Sequence, residues 1–217
     1  MMCQMFCDPS CCTGSEKTNF KSLPIPRGTA CDKKKKFDSK KSSTYIEDGL
    51  GWSIEYGVYT YGGLDTENCG DVIEYEKLTS AAFFQFKMKK IGVESYSSSE
   101  GWDVISDTGT SFIGGPWDVT MSLAHTVGGQ YDDETGSYDI DCNAKFPHVS
   151  IVIGSHTYYI QKKNLVVNVG DGKCAFAMFP FDYGGFGPAW ILGDPWIRQY
   201  CNIYSFEKQI GFAPTKK

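Results

Sequence analysis

The chain has 217 residues and a net charge of −5, with 15% aromatic residues, 24 Gly, 9 Pro and 9 Cys. That length supports one good-sized core or two small domains, and many turn formers with few long helical periods favour an all-β fold. The pI of about 5.2 excludes a general nucleic-acid binder, and no apolar run reaches the ~18 residues of a membrane-spanning helix.

Residues 1–31 are loop-like and rich in cysteine: Cys3, Cys7, Cys11, Cys12 and Cys31 lie among Pro, Gly, Ser and Thr. No Cys-x-x-Cys pair with a matching second pair occurs there, so disulfide bonding or disorder is expected rather than a zinc site. Nine cysteines suit an oxidising compartment, and the odd count leaves at least one unpaired. Yet Met1 to Pro9 lacks the basic and then apolar pattern of a signal peptide. This conflict leads to the expectation that the native beginning lies upstream.

Lys33 to Lys36, with Lys40 and Lys41, form a basic run that reads as a solvated turn. Trp52-Ser53-Ile54-Glu55-Tyr56-Gly57 alternates apolar and polar residues, the period of a half-buried strand. Phe83 to Met88 reads as another strand. Trp102 to Ser106 carries a Val-Ile run that stops at the carboxylate of Asp107, and Gly109 permits a tight turn. Thr110 and Ser111 bring hydroxyls within reach of the carboxylate or the turn amides. Such a loop holds one acid rigidly at the mouth of a sheet.

Pro116 to Val127 places Trp117, Met121, Ala124 and Val127 at helical spacing, with Gly128-Gly129 after them, so a short amphipathic helix is predicted. Ser150–Ile153, Tyr158–Ile160 and Leu165–Val169 alternate as strands. His125, His148 and His156 have no metal-ligand spacing. No Gly-x-Ser-x-Gly elbow and no glycine-rich phosphate loop appears, and no Asn-x-Ser/Thr acceptor occurs.

With its apolar strand before it and Gly114-Gly115-Pro116 after it, Asp107-Thr108-Gly109-Thr110-Ser111 resembles the active-site loop of pepsin-like aspartic proteases, of the cathepsin D-like, invertebrate or nematode type. Trp190-Ile191-Leu192-Gly193-Asp194 resembles the family strand that threads beside this loop, where the glycine lets two backbones approach. Ile210 to Pro214 resembles the closing strand. Phe37 to Tyr45 resembles a turn of the family's N-terminal lobe, and Tyr56, followed by Gly57, matches the flap tyrosine that caps the substrate. Val58 to Asp65 looks like the start of the C-terminal lobe, so a junction is expected near Gly57/Val58.

The resemblance thus implies an all-β, pepsin-like fold in which residues 1–57 are part of the N-terminal lobe and residues 58–217 a nearly complete C-terminal lobe. Residues 1–45 are expected to be poorly ordered. Cys142 and Cys174 match a family disulfide, whereas the pairing of Cys69, Cys201 and the five N-terminal cysteines is left open. A polypeptide substrate is implied, with no cofactor, metal, nucleic acid or membrane partner, in a monomer that is secreted or lysosomal by family.

An aspartic protease needs two carboxylates that share a proton and hold one water. Asp107 supplies one of them. Asp65-Thr66-Glu67 lacks the glycine, Asp133-Glu134-Thr135-Gly136 has the wrong spacing, and no second Asp-Thr-Gly or Asp-Ser-Gly exists. The first reading is therefore an aspartic endopeptidase by family whose 217 residues are inactive alone. The alternative is a pseudoprotease or splice form that binds peptide or a protein partner. A cysteine-rich interaction module, resting on residues 1–31, is a third.

Overall fold

The computed structural model describes residues 41–46, 57–182, 184 and 187–216, all in one unit, Phe37–Lys217. Tyr56 and the cysteines at 3, 7, 11, 12 and 31 lie outside the described residues. The strands are β1 (Lys41–Ile46), β2 (Gly57–Tyr61), β3 (Glu74–Lys77), β4 (Gln85–Val93), β5 (Tyr96–Ser98), β6 (Trp102–Ser106) and β7 (Ile113–Gly115). Helix α1 (Trp117–Thr126) follows, then β8 (Gln130–Asp132), β9 (Ser137–Ile140), β10 (Val149–Ile153), β11 (His156–Ile160), β12 (Val166–Gly170), β13 (Lys173–Phe176) and β14 (Met178–Pro180). The chain ends with β15 (Trp190–Leu192), a short helix α2 (Asp194–Gln199), β16 (Tyr200–Ser205) and β17 (Gln209–Pro214).

The strands build three sheets. The largest has the order β11-β10-β4-β6-β15-β7-β14, with β5 also paired to β4; a second has the order β2-β1-β16-β17-β3, and a third β12-β13-β9-β8. Their sequences explain their places. In β4, Phe86 and Met88 are buried while Lys87 and Lys89 are exposed, the alternation of a strand with one dry face. By contrast β6 and β15 sit inside the largest sheet and are apolar almost throughout, because both of their faces are covered. Helix α1 lays Val119, Leu123 and Ala124 on the core, which also holds Trp190, Trp196, Tyr138 and Phe212.

Two expectations need adjustment. The strand expected from Phe83 begins at Gln85, because residues 81–84 form a turn in which Phe84 takes a φ of +49°. A 3-10 turn at Lys162–Asn164 holds Leu165 outside β12, which starts at Val166. Residues 41–46 form β1, which pairs with both β2 and β16. An open edge on β16 would leave a row of unpaired backbone groups, and β1 removes it.

Two disulfides brace this arrangement. Cys142–Cys174 ties the loop after β9 to β13, with Cα atoms 5.2 Å apart. Cys69–Cys201 joins the segment before β3 to β16 across 132 residues, with Cα atoms 6.0 Å apart. In the chain-entropy account the bridge spanning 32 residues contributes about 3.7 kcal/mol and the longer one about 5 kcal/mol. Urea unfolding should therefore show a larger loss for Cys69→Ser/Cys201→Ser than for Cys142→Ser/Cys174→Ser; the reverse order would show that the bridges act through native packing instead.

Candidate active site

Asp107 stands where β6 stops. Its backbone N–H donates to the carbonyl of Leu192 at 3.0 Å, the last rung of the parallel pairing between β6 and β15. Beyond it the chain turns on the acid's own side chain. The Gly109 N–H donates to Asp107 Oδ1 at 2.9 Å, and the Thr110 hydroxyl donates to Oδ2 at 2.5 Å. Both oxygens of a half-buried carboxylate are thus fixed by donors within three residues, a local Asx-type turn. Thr108, Gly109 and Ser111 remain exposed, so the loop opens to solvent.

The chain returns through β7, and β15 threads between the two arms. Leu192 lies beside Ser106 in parallel register, while Ile191 faces Gly114 in antiparallel register. Ile191 and Leu192 are buried, and Gly193 follows directly beneath the loop. A Cβ at Gly193 would overlap the carbonyl oxygens of Thr110 and Phe112. The Asp194 N–H then donates to the Thr110 carbonyl at 2.9 Å. The residues chosen from the sequence, Asp107 to Ser111 and Ile191 to Gly193, therefore form one contiguous structure. Gly57, expected at a flap, begins β2 and pairs with Ile46 in the five-stranded sheet.

Asp194 is the second acid here. Burial holds its carboxyl above the ordinary value; the Arg198 guanidinium, 3.7 Å away, opposes that effect and the charge of Asp107 reinforces it.

Sequence reasoning missed a buried polar cluster behind the loop. Ser106 Oγ donates to Asn202 Oδ1 at 2.9 Å, and Trp196 Nε1 donates to the same oxygen at 3.0 Å. Asn202 Nδ2 donates to the Tyr200 carbonyl at 2.7 Å. Tyr204 OH lies 2.8 Å from Ser106 Oγ, whose one proton is already committed, so the phenol is the donor. One signal was available: a serine and an asparagine inside otherwise apolar strands must be bonded to something. Also unforeseen is an open cavity of about 400 Å³ beside Phe112, lined by Thr135, Ser137, Asp139, Val169 and Phe179.

The family model for eukaryotic aspartyl proteases matches residues 57–215. The chain belongs to this family. It is 51% identical over 180 residues to aspartic protease 6 of Caenorhabditis elegans, covering 82% of this chain and 46% of that protein. Aspartic protease 2 of Necator americanus is 46% identical over 161 residues, 74% of this chain and 37% of the relative. Cathepsin E of Aquarana catesbeiana is 29% identical over 169 residues, 75% of this chain and 42% of the relative. The chain therefore spans under half the length of these relatives. Among the described residues no group of three or more His, Cys, Asp or Glu side chains could hold a metal ion, and no helix is long and apolar enough to cross a membrane.

Two outcomes are expected of this geometry. Gly193→Ala should lower stability by about 3 kcal/mol or more, because two backbone carbonyls must move, and should shift the amide resonances of residues 107–112 most. Asp194 gives a pH signature. A carboxyl whose pKa is raised by folding favours the native state while protonated, and that contribution is lost as pH rises through the raised value. Asp194→Asn should therefore gain stability relative to the parent as pH rises from the ordinary aspartate value through the raised one, as read by denaturant midpoints along a pH series. A constant difference between the two proteins at every pH would rule this out.

Proposed function

We propose that Asp107 is one of the two catalytic acids of an aspartic endopeptidase, and that residues 58–217 are its C-terminal lobe. The observation that carries the reading is the carboxylate itself, with each oxygen held by a loop donor and its mouth open to solvent. Such a group can orient a water. In the paired site the ionised acid takes a proton from the water, whose oxygen attacks the peptide carbonyl carbon, while the protonated acid donates to the carbonyl oxygen. Collapse of the tetrahedral intermediate expels the amine, which leaves with a proton. In pepsin such a pair titrates in two separated steps, because like charges so close cannot both ionise.

These 217 residues hold one Asp-Thr-Gly loop, and the shared proton needs a second acid. The reading is thus half of a catalytic site, inactive by itself and competent when another segment contributes the second loop. The substrate is a polypeptide, and the cavity beside Phe112 offers a pocket for one of its side chains. The two disulfides and the family support a secreted or lysosomal setting. The single acid loop also favours a second reading, a peptide-binding protein without catalysis.

An assay at acidic pH separates them. The 217-residue chain alone should not cleave an aspartic-protease substrate. Joined to a segment carrying the second loop it should do so and bind a pepstatin-type transition-state analogue tightly. In that assembled protein Asp107→Asn should lower kcat by about 10³-fold or more, because asparagine neither takes nor gives the proton. Analogue-sensitive cleavage by the chain alone would sink the half-site reading, and unchanged kcat in the variant would remove Asp107 from the chemistry.

A further inference from the structure

The loop of Asp107 is gripped by two arms that reach one buried atom. The first arm is β6: the Asp107 N–H is bonded to Leu192, and the preceding residue, Ser106, sends its hydroxyl into the interior. The second arm is the start of α2: the Asp194 N–H is bonded to the Thr110 carbonyl, and two residues on Trp196 sends its indole N–H inward. Both donors end on Asn202 Oδ1, and Asn202 is fully buried in β16 of the other sheet.

The orientation of this side chain is fixed by its partners. An indole N–H only donates, so the atom 3.0 Å from it is the amide oxygen, and the amide nitrogen is left to face the Tyr200 carbonyl at 2.7 Å. That oxygen takes one hydrogen bond from each arm of the loop.

We propose that Asn202 is a positioning residue for the Asp107 carboxylate, holding both arms of its loop by accepting hydrogen bonds from Ser106 and Trp196 on a single amide oxygen. The proposal rests on Asp107 being the reacting acid for its functional meaning, but not for its geometry. An apolar residue could fill the same volume. It could not make the separation between the end of β6 and the start of α2 depend on one shared acceptor. A group that must meet a water and a second carboxylate in fixed geometry needs that kind of support.

Native-state amide exchange on the 217-residue chain tests this, because each arm carries its own reporter. The Asp107 amide reads the first arm, the Asp194 amide the second, and the Ala175 amide of β13 is the reference in the third sheet. Ser106→Ala should speed exchange at Asp107 about tenfold, the equivalent of one buried hydrogen bond, and leave Asp194 and Ala175 unchanged. Trp196→Phe should do the same at Asp194 only. Ser106→Thr, which keeps the hydroxyl that Ser106→Ala removes, should keep the parent rate at Asp107 as the conservative control, and Asn202→Leu should release both arms together. Should Asn202→Leu fail to fold, the two single-arm variants decide the matter. Equal acceleration at all three amides would mean the cluster only stabilises the fold and would overturn the proposal, as would no change at Asp107 and Asp194. Because no catalysis is measured, the result is independent of whether Asp107 proves to be the acid in the assay above.

Discussion

Gly193 leaves no room for a side chain against the carbonyls of Thr110 and Phe112, and the rest of the site depends on that close fit. β15 runs between β6 and β7, parallel to one and antiparallel to the other, so the loop that joins those two strands must arch over its end. A side chain at the point of passage would lift the arch. Its absence brings Leu192 and Asp194 within hydrogen-bond reach of Asp107 and Thr110. The acid is therefore placed by a backbone contact, and side chains then refine its direction. A similar fit recurs along β7, where the Trp190 ring lies against Gly115 and occupies the space a Cβ would need.

What that contact delivers is a carboxylate whose position is set before any ligand arrives. Its own loop provides the donors, so little reorganisation is left for the moment a water binds. The nearby Asp194 makes the electrostatics less simple. Its carboxyl is disfavoured as an anion by burial and by Asp107, and Arg198 opposes this. The two acids differ in their surroundings: Asp194 is turned to Arg198 through an i,i+4 contact, whereas Asp107 is held by its own loop. The position of Asp107 is thus set by its own loop and by the strand beneath it.

Much of this was legible in the sequence. Asp107 to Ser111 named the loop because a strand, an acid, a glycine and two hydroxyls in that order have few structural uses. Ile191-Leu192-Gly193 named the threading strand for the same reason. Positions fixed by tertiary context were hidden. Nothing local marks Gln85 as the start of β4, because the turn before it depends on Phe84 adopting a positive φ. Nothing local pairs Lys41–Ile46 with β16 and β2, since the partners that recruit this strand lie elsewhere in the sequence. Asn202 was overlooked because one asparagine in a strand carries no partner information, and its two donors lie 96 and 6 residues away in sequence.

Phe84 links these hidden features. A bulky residue in the left-handed region is strained by about 1–2 kcal/mol, so something must hold it there. Its ring meets Tyr204 edge-to-face at 5.0 Å, a geometry worth about 0.5–1.5 kcal/mol beyond the area it covers. Tyr204 in turn directs its hydroxyl to Ser106 Oγ. With that donor in place Ser106 has no free choice of acceptor, and its proton goes to Asn202. The turn that delays β4 by two residues, the phenol it presses against and the hydroxyl beneath Asp107 thus form one line of contact. The conformational cost at Phe84 is borne where it helps to align the strand end that carries the acid.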